Sequence, residues 1–340
     1  MLDGTSAPRL REVYLDGVEI VGWEKAFPPT LSELIVKNMD HWGPSLSELF
    51  TICISCPNIT ILEVSNVAVG LDPRQSSAAA PLLEFPSLRK LTLCELGEEV
   101  TQNILQRLRF PTNCVVRLFS ELLTPHPSTS LTSMLGHHLD NSNDVIDQLT
   151  IWIRAEADVI KIKGPRWNIT FELADTEAVR DAVLWFNSNG VTSRNDSPQH
   201  SRRSIPVSLE LDYDILVDGF DFLSSISDLQ CIAKIALNSA DLTILSHITV
   251  RGFKQNWPFP GVRELHFKHP SPGMDPVIKL FQERRGERDE LGAAAPLQKI
   301  KFGDEFKTSR PARPDSLLML LDAVDEDTQV SWYGKQVFRD

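Results

Sequence analysis

The chain carries one Cys-x-x-Cys spacing, Cys53-Ile54-Ser55-Cys56. Such a pair can hold zinc or cycle between thiol and disulfide. A zinc knuckle needs a second pair at suitable spacing, and the sequence has none. A redox pair opens a helix, where the helix dipole lowers the thiol pKa. This pair closes an apolar helical run just before Pro57. It therefore reads as core packing. The histidine pairs are His137-His138 and His266 with His269. Neither has a cysteine or carboxylate set at ligand spacing, so they read as surface histidines. His266 falls between two strand aliphatics and is expected on the open face of a sheet. There is no Gly-x-Ser-x-Gly elbow, phosphate-binding glycine loop or His-Glu-x-x-His zinc motif. No catalytic, cofactor-binding or metal-ligating residue is assigned, and the expected function is non-catalytic binding. The competing expectations are an enzyme with an unrecognised site in the middle of the chain, and a self-associating scaffold.

Bulk composition narrows the partner. The 340 residues carry a formal net charge of -12. A surface that acidic repels phosphate backbones, which disfavours nucleic acid and anionic membranes. Local basic patches surround Arg194, Arg202 and Arg203 and run from Lys279 to Arg313. No stretch approaches the roughly 18 apolar residues of a membrane span. The first nine residues lack a signal-peptide pattern. The five cysteines are odd in number and sit mostly in apolar runs, so they read as reduced. The expected location is intracellular, cytoplasmic or nuclear, with a protein as partner.

A recurring phrase organises the chain: proline, any residue, leucine, two residues, an aliphatic, one residue, an aliphatic. It reads Pro8-Arg9-Leu10-Arg11-Glu12-Val13-Tyr14-Leu15, then Pro29-Thr30-Leu31-Ser32-Glu33-Leu34-Ile35-Val36. It returns at Pro57–Val64, Pro86–Leu93 and Pro260–Phe267, with a shortened copy at Pro296–Phe302. The first four copies, aligned on Leu10, Leu31, Ile59 and Leu88, are 21, 28 and 29 residues apart. That is the leucine-rich-repeat period of roughly 20–29. The last two aliphatics of each phrase alternate, so they point to one face of a short strand. Stacked strands would form a parallel sheet. The expected fold is α/β, an irregular leucine-rich-repeat solenoid that is curved, with a parallel sheet on one face and helices and loops on the other. Irregularity is expected because the usual asparagine position holds Val18, Met39, Val67 and Leu96.

Spacers between phrases read as helices. Ser45 with Glu48 forms a capping box ahead of Leu46, Leu49, Phe50 and Cys53. Val100, Ile104, Leu105 and Leu108 keep helical spacing after Glu98 and Glu99. Asp275-Pro276 starts another helix through Val277, Ile278, Leu280 and Phe281. Residues 1–123 read as N-terminal repeats, 124–205 as an irregular β-rich middle with loop excursions, and 206–340 as C-terminal repeats with an end cap. The middle offers strand-like runs at Cys114–Phe119, Leu149–Ile153, Val159–Ile162 and Trp167–Leu173. A helix is expected from Thr176 to Phe186, and a strand through Val207, Leu209 and Leu211. Arg74–Pro81, Thr124–Ser133 and Asn187–Pro206 read as loops, and Glu283–Glu290 as a solvated charged run. The end cap is a helix through Leu317, Leu318, Leu320 and Leu321, followed by a last strand at Val330–Tyr333.

Ala7–Leu15 followed by Trp23, Cys56-Pro57-Asn58-Ile59 and Phe85–Leu91 resemble the repeat region of fungal, mushroom-type F-box-like proteins. The resemblance covers most of residues 7–120 and, more weakly, 255–333. It implies a substrate-recognition role. In that family an N-terminal F-box docks the adaptor of a cullin-type ubiquitin ligase, and the repeats hold the substrate. No F-box-like helical segment precedes Leu10, so the adaptor is an expected partner only if an F-box exists upstream. The phrase also names the candidate protein-binding face. Its outward strand positions are Glu12, Tyr14, Asp16, Glu33, Ile35, Lys37, Ile61, Glu63, Lys90, Thr92, Glu264, His266, Lys299 and Lys301.

Overall fold

The proline phrases fold as turns that launch strands. The Leu31 N–H donates to the Pro28 carbonyl (3.1 Å), Ile59 to Cys56 (3.3 Å), Leu88 to Phe85 (3.2 Å) and Val262 to Phe259 (3.1 Å). Each bond closes a four-residue turn with a proline second: Pro29, Pro57, Pro86 or Pro260. Proline presets the φ that this corner needs. The proline is thus a turn corner, and the strand starts four residues after it. At Pro260-Gly261 the turn also presses on its neighbour. A Cβ on Gly261 would lie 1.9 Å from the Gln230 carbonyl oxygen, so only glycine fits there.

A computed structural model describes residues 7, 9–20, 22–39, 43–70, 82–122, 126–140, 148–153, 158–164, 167–173, 176–189, 206–211, 229–237, 259–268, 275–286, 296–303 and 316–338. The architecture is mixed α/β. A large, mostly parallel sheet of 14 strands is accompanied by six α-helices among the described residues, and the sheet is not closed into a barrel. Two compact units divide the chain. The first comprises 1–147, 161–174 and 181–203, and the second 148–160, 175–180 and 204–340. The sequence-expected loops at Arg74–Pro81 and most of Asn187–Pro206 lie outside the described residues. So do Arg194, Arg202, Arg203 and His269. Of the charged run Glu283–Glu290, only the backbone to Gly286 is described.

In the first unit, β1 (Glu12–Asp16), β2 (Glu33–Met39), β3 (Ile61–Val67), β5 (Lys90–Cys94), β7 (Val115–Leu122) and β10 (Trp167–Leu173) pair in that order, all parallel. The register aligns the phrases residue for residue. Val13, Leu34, Leu62, Leu91 and Val116 form one buried row, and Leu15, Val36, Val64, Leu93 and Leu118 the next. Burying each such side chain contributes about 1.5–3 kcal/mol. Two short strands, β4 (Leu83–Glu84) and β6 (Leu108–Arg109), pair separately. Leu108, expected at the end of a helix, instead begins β6.

Helix α1 (Leu46–Ser55) has the expected capping box, with Ser45 and Glu48 each bonding the other's backbone N–H. Helix α2 (Glu98–Arg107) buries Val100, Ile104 and Leu105. One expectation fails. Thr124–Ser133 has the composition of a loop, yet α3 runs over Pro127–Asp140. Pro127 takes the first helical position, where its missing N–H costs nothing. Leu131, Met134 and Leu135 then keep helical spacing and are buried. Within this unit α3 is tied to residues 181–189 of α4 (Thr176–Asn189). The Ser128 N–H donates to Asp181 (2.7 Å) and the Trp185 indole to Thr132 (2.7 Å).

In the second unit, β8 (Gln148–Ile153), β11 (Val207–Leu211), β12 (Ile232–Leu237), β13 (Glu264–Phe267), β14 (Lys299–Phe302) and β15 (Gln329–Trp332) pair parallel in that order. Phe267, Phe302 and Trp332 form an inward column, with ring centroids 5.0 and 5.9 Å apart. Helix α5 (Asp275–Gly286) buries Val277, Ile278 and Phe281, and α6 (Ser316–Ala323) buries Leu317, Leu320 and Leu321. Strand β16 (Lys335–Val337) turns back antiparallel on β15. Its two-residue loop, Tyr333-Gly334, has φ of 45° and 77°, as a tight hairpin turn requires.

Candidate functional site

Opposite the buried rows, the parallel register gathers the phrase's polar residues. In the first unit the rows read Glu12, Glu33, Ile61, Lys90, Val115; then Tyr14, Ile35, Glu63, Thr92, Arg117; then Asp16, Lys37, Ser65, Cys94, Phe119. All ten candidates of this unit lie on these three rows. Exposure falls from β1 to β5 and returns at β7, where Val115 and Arg117 are exposed. Glu12, Tyr14 and Asp16 are exposed, and Glu33, Ile35, Lys37, Ile61 and Lys90 are half-buried. Glu63 and Thr92 are buried. Tyr14 is 60 % exposed, a large aromatic side chain held in water.

Charge links the rows. Glu63 takes Lys37 at 2.6 Å and Lys90 at 3.4 Å. Burial pushes the Glu63 carboxyl up, but the two ammonium groups outweigh it and hold it below its ordinary value. Lys37 is correspondingly raised, chiefly by its hydrogen bond to Glu63. Its ammonium stands 5.8 Å over the Tyr14 ring, a cation–π distance. The Tyr14 hydroxyl donates to Asp16 at 3.1 Å. The face is thus a connected polar network.

A second chain of polar groups was not anticipated. The Asn66 amide donates to Asn38 (3.1 Å), and the Asn38 amide to Asp16 (2.8 Å). Asn38 and Asn66 are left-handed, with φ of 54° and 51°. Gly17 (63°) and Glu95 (55°) hold the matching positions after β1 and β5. Each of β1, β2, β3 and β5 has one αL residue at or just past its C-terminal end, a conformation that Gly and Asn adopt most readily. The usual asparagine position, one residue further on, is apolar, and Met39, Val67 and Leu96 are buried there. A closer reading of Asn-Met and Asn-Val after the strand aliphatics would have found this ladder.

In the second unit the outward rows are Thr150, Ser208, Lys234, Glu264, Lys299, Gln329 and Trp152, Glu210, Ala236, His266, Lys301, Ser331. The four candidates of this unit, Glu264, His266, Lys299 and Lys301, are adjacent here and half-buried. Lys301 pairs with Glu264 at 3.5 Å and Lys268 with Glu210 at 2.8 Å. His266 Nε2 lies 3.2 Å from the Gly303 carbonyl. Burial, with Lys234, Lys301 and Lys268 nearby, lowers its pKa despite that bond. Strands β11 and β12 lack the proline phrase, so Ser208, Glu210 and Lys234 escaped the sequence reading.

Cys53 and Cys56, at the end of α1, lie off the outward rows. Cys53 and Cys56 are buried and free. Burial pushes them up to about 12 and about 11. The Cys56 thiol donates to the Pro28 carbonyl at 3.4 Å. Among the described residues, no group of three or more histidine, cysteine or acidic side chains could hold a metal ion, and no helix is long and apolar enough to cross a membrane. The side chains of His137 and His138, on α3, lie outside the described residues. No protein-family model matches the chain, and no curated protein matches it.

Proposed function

We propose that the chain is a non-catalytic protein-binding module, an irregular leucine-rich-repeat solenoid whose ligand surface is the outward face of its sheet. One observation carries this reading. The inward rows of the parallel sheet are buried and apolar, while the outward rows carry charged and polar side chains among a few apolar ones and include solvent-exposed residues. Parallel sheets ordinarily have both faces covered and read as continuous apolar runs. A face left polar, with Tyr14 exposed on it, suits a protein partner, since aromatic anchors ringed by charge are typical of interfaces. The recurrence of one turn-and-strand unit along the chain supports the repeat reading.

The role that fits this surface is substrate recognition, similar to that of the repeat region in fungal F-box ubiquitin-ligase receptors. The cullin-ligase adaptor would then bind only a form of the protein that carries an F-box ahead of the repeats.

The test begins with partner identification by proximity labelling, followed by direct binding of the purified partner. Tyr14→Ala with Glu33→Lys is expected to weaken binding by at least about tenfold, the order of a hot-spot loss. Equal affinity for wild type and variant would remove the outward face as the site.

A further inference from the structure

We propose that the second unit carries a groove for an extended acidic peptide, lying across the starts of β11 to β15. The inference rests on the reading of the outward face as the ligand surface, and it names the ligand's chemistry. The groove has a volume of about 600 Å³, and its lining includes Ser208, Lys234, Arg263 and Lys299. That is within the range of ligand-binding clefts.

Charge points to an anion. Lys234, Arg263 and Lys299 stand on or just before three successive strands. Their side chains have no ion-pair partner among the described residues. The carboxylates of the groove are Glu264 and Asp327. Glu264 is already taken by Lys301. A chain of net charge -12 thus holds an excess of positive charge in this cleft. Such local excess attracts negative ligands.

A second observation is independent of charge. Ser208 is only 5 % exposed, and its hydroxyl has no hydrogen-bond partner among the described residues. It lies on the outward row and lines the groove. A buried hydroxyl left unpaired is costly, and a ligand acceptor would satisfy it. The ladder also breaks beside it. The register slips between Val207 and Ser208, leaving Ala233 as an extra residue on β12. Bulges of this kind re-aim side chains next to sites.

Length and lining favour a peptide. Neighbouring strands lie about 4.8 Å apart, so the four intervals from β11 to β15 span about 19 Å. An extended chain advances about 3.3 Å per residue, so about six residues fill that length. Nucleic acid fits less well. Among the described residues no aromatic side chain lines the groove to stack a base, and Glu264 and Asp327 would repel a phosphate backbone. The same carboxylates can accept the backbone N–H groups of a peptide.

Fluorescence anisotropy on the full chain tests this, with labelled hexapeptides of alternating glutamate and alanine or of alternating lysine and alanine. The acidic peptide is expected to bind and the basic one not. Affinity should fall by at least about tenfold as salt rises from about 0.05 to about 0.5 M, because exposed charge is screened. Lys234→Glu with Lys299→Glu should weaken binding by at least about tenfold. Arg263→Gln, at an exposed position where folding is not at risk, should weaken it by about threefold. No binding of the acidic peptide would overturn the proposal. So would binding unchanged in both variants, tighter binding of a six-nucleotide single strand, or full displacement by inorganic phosphate alone. If the peptide fails while Tyr14→Ala with Glu33→Lys still abolishes partner binding, this inference falls and the wider reading stands. The opposite pattern removes the first-unit face and leaves the groove.

Discussion

Lys37 Nζ lies 2.6 Å from Glu63 Oε1 and bridges β2 to β3 on the outward face of the sheet. Glu63 is buried, so the bridge is more than a surface ion pair. Its effect on stability has a direction at each end of the pH scale. The Glu63 carboxyl is held below 4.5 in the folded chain, so its contribution is present above that pH. It is lost as pH falls through the folded value. Lys37 is raised above 10.5, so its contribution is present below that pH and lost as pH rises through the folded value. Glu63→Gln is expected to cost about 1–3 kcal/mol at neutral pH, toward the lower end because both lysines are partly solvated. It should also flatten the acid limb of a plot of unfolding midpoint against pH. An acid limb identical to wild type would show that the bridge contributes nothing.

The Asn66–Asn38–Asp16 chain makes a different prediction, because two effects compete at one residue. Asn66 is left-handed, a conformation that costs an ordinary L-residue about 1–2 kcal/mol. Asn66→Ala incurs that strain and loses the hydrogen bond to Asn38. Asn66→Gly loses the bond but relieves the strain. Chemical denaturation should rank wild type and Asn66→Gly close together, with Asn66→Ala lower by about 1–2 kcal/mol. An alanine variant as stable as the glycine variant would mean that backbone conformation is not what this position selects.

Cys53 and Cys56 have the spacing of a redox pair and the environment of core residues. With thiols pushed up to about 12 and about 11, almost none is thiolate at neutral pH. Iodoacetamide at mildly alkaline pH should leave both unmodified in the folded chain and label them after denaturation. Peptide mass mapping reads the result directly. Cys53→Ser should cost about 1–3 kcal/mol, because it places a hydroxyl in an apolar site. Rapid labelling of the native protein at either residue would restore a redox role to the motif.

The strands of the proline phrases were legible because one local device recurs. A proline at the turn corner fixes where the strand starts, and alternation fixes which residues face outward. Glu12, Tyr14 and Asp16 could therefore be placed from sequence alone. Glu63 and Thr92 could be assigned a face but not a depth, since the neighbouring strands that cover them are set by register. Helix α3 was missed because Pro127, Ser128, Thr129 and Ser130 look like a loop by composition. They are the first turn of a helix whose apolar spacing begins only at Leu131. The groove was invisible for another reason. Ser208 and Lys234 lie on strands without the phrase, and Arg263 precedes its strand. Only the pairing of β11, β12 and β13 brings them together.

His266 supplies the last prediction. It sits on the outward row between Ala236 and Lys301, with its ring against the Gly303 carbonyl. Burial comes first among the causes that lower its pKa below 6.5, and Lys234, Lys301 and Lys268 add to it. The Gly303 bond pulls the other way and is outweighed. The unfolded chain therefore binds the proton more readily than the folded one. Stability from this group is present above about pH 6.5 and falls as pH drops through the folded value. His266→Gln keeps a side-chain donor for Gly303 but cannot titrate. It should make the unfolding free energy less dependent on pH just below 6.5, while the Glu63 limb at lower pH stays in place. Lys268→Met should act in the same region by raising the His266 pKa toward its ordinary value, which NMR titration of the ring reports. A His266 that titrates at or above 6.5 in the wild-type chain would reverse the sign and end this account.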